Sequence, residues 1–240
     1  FKLMSSIILG RHGQSVWNLE NRFTGWVDVD ITEKGEAEAK KAGNLLLKNN
    51  FKIDYYFTSF QLRAKRTLSI IKKILNDDKQ VQEFWELNER HYGELTGLNK
   101  DEMRVKLGEK KVHEFRRSWN LRPGKLDRNN PNHPRNLEVY KEVPTNSIPD
   151  TESLEDTYNR VIKIYDKHIK QLVKKNNILI SAHGNSIRAL CKFLFRLDEN
   201  QISKLEIPTG NPLYIKFDYN ENISECKYLD NDRAKDLVVF

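Results

Sequence analysis

Short apolar runs that alternate with stretches of helical periodicity restrict this chain more than any other feature does. Residues 6–10 form the first run, after which Thr32 caps a segment whose Ala37, Ala39, Ala42, Leu45 and Leu46 recur at near-helical spacing. Residues 53–58 form the second, followed by a helical stretch to about Leu75 with Ser59 as its expected cap. Residues 178–182 form the third, leading into a helix over 186–197, and 213–217 form a late one. Between them, 101–119 reads as helical with a break at Gly108. Ser153-Leu154-Glu155-Asp156 is a capping-box signature, opening a long amphipathic helix that carries Val161, Ile164, Ile169, Leu172 and Val173. Such alternation packs as an α/β domain: an open, mostly parallel sheet with helices on both faces.

No linker, internal repeat or second core interrupts the pattern, so residues 4–240 read as a single domain. Phe1-Lys2-Leu3, ahead of Met4, reads as a remnant of an expression vector. One segment departs from the rhythm. Residues 120–150 hold Pro123, Pro131, Pro134, Pro144 and Pro149 among many asparagines, and a loop that long inside a compact domain tends to be functional or disordered.

Charge narrows the partners. The formal net charge is +7, but the lysines are scattered in pairs such as Lys40-Lys41, Lys72-Lys73 and Lys174-Lys175. There is no basic tail and no basic stripe interleaved with aromatics, which argues against nucleic acid and leaves small phosphorylated anions. No apolar run is long enough to span a membrane. Cys191 and Cys226 are isolated and form no disulfide framework, so a reducing cytoplasm is the expected home.

Two of the apolar runs end alike, in Gly10-Arg11-His12-Gly13 and in Ala182-His183-Gly184-Asn185-Ser186. One histidine after a strand is an ordinary turn residue. Two, each followed by glycine, can face one crevice at the carboxyl edge of a parallel sheet. The backbone N–H groups of Gly184 and Asn185, at a helix start, suit an anion. Arg11, Arg63 and the pair Arg116-Arg117, which alone would read as a surface helix, offer guanidinium forks for phosphate oxygens. Glu89, in the polar run Leu87-Asn88-Glu89-Arg90-His91-Tyr92-Gly93, is the candidate acid/base. Neither of the common Gly-rich phosphate loops occurs, nor a GxSxG elbow or an HExxH pair, and the histidines lack metal spacing. Histidine itself is then the expected nucleophile toward phosphorus. A non-enzymatic polyanion binder would need neither the paired His-Gly ends nor Glu89.

These residues resemble a family. Arg11-His12-Gly13-Gln14-Ser15-Val16-Trp17-Asn18, Phe23-Thr24-Gly25-Trp26, the run through Glu89, Leu98-Asn99-Lys100, Arg116-Arg117-Ser118 and Ala182-His183-Gly184-Asn185-Ser186 are similar to motifs of the cofactor-dependent phosphoglycerate mutases of the histidine phosphatase superfamily. The likeness runs from about Ser6 to Leu229. It implies a phosphoglycerate mutase-like fold and a glycolytic and gluconeogenic interconversion of 3-phosphoglycerate and 2-phosphoglycerate, primed by 2,3-bisphosphoglycerate and needing no metal. By position, His12 is the phosphorylated nucleophile, and His183 stabilises the moving phosphoryl group with Arg11 and Arg63. Glu89 moves the proton of the substrate hydroxyl. Asn18, Thr24, Gly25, Arg90, Tyr92, Lys100, Arg116, Arg117, Gly184 and Asn185 would hold phosphate and carboxylate.

A bisphosphoglycerate mutase and a phosphatase are the alternatives within the superfamily. Members that mainly make bisphosphoglycerate carry glycine at the position of Ser15 and serine at that of Gly25, which favours a mutase here. Three departures from the family bear on closure or charge. Residues 119–124 keep only Pro123, Glu86 replaces a basic residue, and little chain follows Leu229. Residues 120–150 and the segment after Tyr228 are the expected lid. A homodimer or a higher homo-oligomer stays open.

Overall fold

β1 (Ser5–Arg11) is buried along almost its whole length, because it lies inside the sheet and both of its faces are covered. Ile7 and Leu9 face one core with α6 (Leu154–Ile164) and α8 (Gly184–Phe195), while Ile8 faces a second core with α2 (Glu33–Lys48) and α3 (Leu62–Leu75). The computed structural model describes residues 5–234. The reading of Phe1 to Leu3 and the tail beyond Ala234 lie outside the described residues.

The sheet has six strands: β1, β2 (Tyr55–Thr58), β3 (Val81–Glu83), β4 (Asn177–Ala182), β5 (Leu213–Phe217) and β6 (Ile223–Tyr228), in the order β3-β2-β4-β1-β5-β6. β3, β2, β4 and β1 pair in parallel, β5 runs antiparallel to β1, and β6 antiparallel to β5. The shorter helices are α1 (Val16–Leu19), α4 (Lys100–Leu107), α5 (Glu109–Arg117), α7 (Lys170–Val173) and α9 (Glu199–Lys204). A π turn over Tyr165–Ile169 joins α6 to α7. Among the described residues, no helix is long and apolar enough to cross a membrane.

Local signals hold at most boundaries. Thr32 caps α2 by accepting from the Gly35 N–H, and Ser153 with Asp156 forms the capping box of α6. Gly108, at φ +89°, separates α4 from α5 in a conformation that a Cβ disfavours. Two readings are corrected. The helix after β4 begins at Gly184, not residue 186. Ser59 does not cap α3, whose N-cap is Gln61; the Ser59 hydroxyl is taken up by His183 instead.

Residues 120–150 form an ordered layer of short 3₁₀ turns rather than a loose loop. Tyr140 and Val143 pack on Trp26, flanked by Phe60, Trp85 and Leu137. Apolar side chains spaced irregularly along a proline-rich segment carry no periodicity, so this core was invisible beforehand.

Gly13 marks a close approach of two backbone segments. A Cβ there would lie 2.2 Å from the Gly35 carbonyl oxygen, whereas one at Gly10 would meet nothing nearer than 3.9 Å. Gly13→Ala is therefore expected to cost about 2–3 kcal/mol of stability and Gly10→Ala under about 1 kcal/mol. Denaturant midpoints of the two variants check this, and equal losses would contradict it.

Candidate active site

The parallel register of β1 and β4 sets Arg11 opposite Ala182, so the residues that follow them, His12 and His183, emerge side by side. The His12 N–H donates to the Ala182 carbonyl at 3.0 Å, and the two rings lie 5.0 Å apart between centroids. Both side chains are buried. His12 Nδ1 sits 2.7 Å from the Gly13 carbonyl oxygen, which can only accept, so Nδ1 carries the proton and Nε2 keeps its lone pair. Burial, then the Arg63 and Arg11 cations, hold the His12 pKa well below the usual imidazole value. Burial and Arg63 depress His183 in the same direction. Both rings are neutral at pH 7.

Arginines line the cleft next to this pair. Arg63 is 1% exposed, and its fork is held by the Val27 and Gly25 carbonyls at 3.0 and 2.8 Å. Arg11 Nη1 donates to the Ile207 carbonyl at 2.7 Å, while its buried Nε has no partner. Lys100, Arg116 and Arg117 reach the cleft from α4 and α5. Burial and the neighbouring Arg116 and Arg11 bring the Lys100 ammonium down to about 8.

Glu89 faces the cleft from the run after β3, nearly buried at 8% exposed. Its Oε1 accepts from the backbone N–H groups of Arg90 at 2.7 Å and Asn185 at 3.1 Å. The Asn185 N–H at the start of α8 thus serves the Glu89 carboxylate, not a free anion as its sequence suggested. Asn185 Nδ2 donates to the Tyr92 hydroxyl at 3.1 Å, joining α8 to the same run.

Of the residues singled out from sequence, Arg11, His12, Asn18, Thr24, Gly25, Arg63, Glu89, Tyr92, Lys100, Arg116, Arg117, Gly184 and Asn185 line one cleft. His183 lies just behind His12. Arg90 does not line the wall. Its Nε and Nη2 donate to the Glu152 and Leu121 carbonyls at 3.0 and 2.8 Å, so most of the guanidinium is spent on loops behind the cleft. None of residues 120–150 lines the cleft either. Its mouth is bordered by α4, α5 and the Glu206-Ile207 loop, where Arg117 pairs with Glu206 at 2.5 Å.

Sequence reasoning missed several contributors. Arg188 lies beneath Asn185 and donates to its Oδ1 at 2.9 Å; a charged residue in the apolar run Ile187 to Leu190 was the available signal. Arg160 gave none, since it looks like the solvent side of an amphipathic helix. It donates to the Glu86 and Asn88 carbonyls at 2.6 and 2.9 Å, to the Glu89 carbonyl at 2.9 Å, and pairs with Glu152. Arg22, Phe23 and Glu206 also line the cleft. Among the described residues, no group of three or more His, Cys, Asp or Glu side chains is gathered as metal ligands would be.

The sequence profile of the histidine phosphatase superfamily (branch 1) matches residues 7–130 and 124–231. A 2,3-bisphosphoglycerate-dependent phosphoglycerate mutase from Pelagibacter ubique is 62% identical over 99% of this chain and 100% of its own length. One from Hamiltonella defensa is 44% identical over 95% of this chain and 92% of its own. Among solved structures, a mycobacterial glucosyl-3-phosphoglycerate phosphatase complexed with VO3 aligns with a TM-score of 0.67 at 18% identity, covering 93% of this chain and 96% of that one. The last likeness concerns fold alone.

Proposed function

We infer how the cleft works from one premise: the chain belongs to the histidine phosphatase superfamily and, within it, to the 2,3-bisphosphoglycerate-dependent phosphoglycerate mutases. It is an isomerase that interconverts 3-phosphoglycerate and 2-phosphoglycerate. The observation that carries the assignment of roles is the open Nε2 lone pair of a neutral His12 in a cleft walled by arginines.

In the transfer, His12 Nε2 bonds to phosphorus as the ester P–O bond breaks, and Glu89 gives the leaving oxygen its proton. In the return step phosphorus leaves Nε2 for a glycerate hydroxyl, whose proton Glu89 takes. Arg11 and Arg63 neutralise charge on the equatorial oxygens of the moving group, and His183, itself neutral, hydrogen-bonds to one of them through its unpartnered Nδ1.

The residues present fit a phosphorylated primer. Arg11 Nε, Thr24 Oγ1 and His183 Nδ1 are buried here without partners, and phosphate oxygens would complete them. Asn18, Thr24, Gly25, Tyr92, Lys100, Arg116, Arg117, Gly184 and Asn185 would hold phosphates and carboxylate, with Arg90 bracing Tyr92 from behind. When bound, 2,3-bisphosphoglycerate supplies the phosphoryl group that charges His12. Cys191 and Cys226 are both free thiols, which fits a reducing cytoplasm.

The two positions that separate a mutase from a bisphosphoglycerate-making relative support the mutase reading. Ser15 is fully buried and caps α1. Gly25 holds φ +55°, and a Cβ there would come within 3.2 Å of the Tyr92 nitrogen. Water must be kept from phosphohistidine for transfer to outrun hydrolysis. Mutase turnover is expected to exceed hydrolysis of 2,3-bisphosphoglycerate by at least about a hundredfold, with both assayed at saturating substrate in a chelator. Comparable rates would make the protein a phosphatase. Activity lost to the chelator and restored by a divalent ion would overturn the metal-free mechanism.

A further inference from the structure

Gln61 stands between β2 and α3, fully buried, at an N-cap position where its side chain caps nothing. Its carboxamide is used completely. Oε1 accepts from the Glu89 N–H at 2.8 Å and from Arg63 Nη2 at 3.3 Å. Nε2 donates to the Gly25 carbonyl at 2.9 Å and to the Tyr140 hydroxyl at 3.1 Å. The orientation of the amide is settled by its neighbours: a backbone N–H only donates and a carbonyl only accepts, so a flipped amide would oppose like with like at both ends.

We propose that Gln61 is a positioning residue for Glu89, setting the backbone from which the proton-transferring carboxylate projects; this rests on Glu89 moving the proton of the substrate hydroxyl. Glu89, not Arg63, is the group that depends on it. Arg63 has shorter bonds to the Val27 and Gly25 carbonyls, so it stays in place without the amide. The Glu89 peptide is held at its N–H by Gln61 and at its carbonyl by Arg160 Nη2. One of the two bonds on the carboxylate comes from the adjacent Arg90 N–H, which moves with that peptide. Loss of the Gln61 bond therefore lets the acid drift relative to the phosphoryl site, and misplacement by about 1 Å is enough to cost on the order of 10²-fold in rate. The other end of the amide, through Tyr140, ties this adjustment to the packed layer of residues 120–150, which links that segment to the site although none of it lines the cleft.

Gln61→Met keeps length and removes every hydrogen bond of the amide. Mutase kcat is expected to fall about 10- to 100-fold, with KM for 3-phosphoglycerate and inhibition by vanadate changed by less than about threefold. In the Glu89→Gln background the same substitution should cost less than about threefold, because the group it positions no longer transfers a proton. Pre-steady-state release of p-nitrophenolate from p-nitrophenyl phosphate, a leaving group that needs no proton, should also stay within about threefold. Gln61→Asn, whose amide is one methylene too short to reach the Glu89 N–H, should give the same pattern and replaces the Met variant if that one does not fold. Losses that multiply in the double variant, or p-nitrophenolate release that falls with mutase turnover, would overturn the proposal. A Glu89→Gln loss under about tenfold would instead remove the acid/base role on which it rests.

Discussion

His12→Ala is expected to abolish the phosphoenzyme and to lower mutase turnover by at least about 10⁴-fold, as removal of a covalent nucleophile does elsewhere. The nearest other imidazole is His183; its Nε2 is engaged with Ser59 Oγ at 2.7 Å, and label found on it in the variant would show that its unpartnered Nδ1 had taken over. Protein treated with radiolabelled 2,3-bisphosphoglycerate, then quenched and mapped, should carry label on His12 and none in the variant. Label retained in the variant, or substantial turnover, would refute the assignment. The pH profile is a second reading of the same residue. Burial and the Arg63 and Arg11 cations oppose protonation of His12, so its neutral form persists as pH falls through the ordinary imidazole value of about 6.5. The acid limb of kcat/KM should accordingly lie below about 6.5; a limb at or above it would contradict the buried, neutral nucleophile. Stability follows the same sign. His12, His183 and His91, the last lowered to about 4 chiefly by burial, take up protons in the unfolded chain before they do in the folded one. Their contribution is thus present above about 6.5 and is lost as pH falls below it.

Glu89→Gln should lower kcat by about 10²- to 10⁴-fold, the range for a positioned acid/base, while the protein folds normally. Glutamine matches the volume, and its side-chain oxygen can still accept from the Arg90 and Asn185 N–H groups that hold Oε1. What it cannot do is exchange a proton with the substrate oxygen. Hence KM for 3-phosphoglycerate should move little and the loss should sit in kcat. It should also shrink when the leaving group needs no proton, as with p-nitrophenyl phosphate. A loss below about tenfold, or an equal loss with both substrates, would point to another proton carrier or to a structural role.

Much of the nucleophilic site was legible because each half of it is a local signal. A buried strand that runs into a His-Gly pair and then a helix is visible in the order of the residues, and it occurs twice. Glu89 stood out as an acid in a polar run with little core logic. Arg90 reads in sequence like its neighbours Glu89 and Tyr92, yet most of its guanidinium is turned toward carbonyls behind the cleft. Direction of a side chain from a non-periodic segment depends on what packs around it, and no spacing rule reports that.

The strands β1, β2, β4 and β5, the main helices and most of their caps were determined by the sequence alone, since apolar periodicity and capping act over a few residues. β3 and β6 were not, because sheet-edge strands such as Val81–Glu83 bury too little to leave an apolar pattern. The tertiary structure decided the rest. Pairing of Arg11 with Ala182 across the sheet, a matter of register between segments far apart in the chain, is what makes one site of two histidines. The same holds for Gln61 and Arg160, whose partners on Glu89 come from distant segments: a buried amide or guanidinium takes its meaning from the groups that satisfy it, and only folding brings those groups within reach.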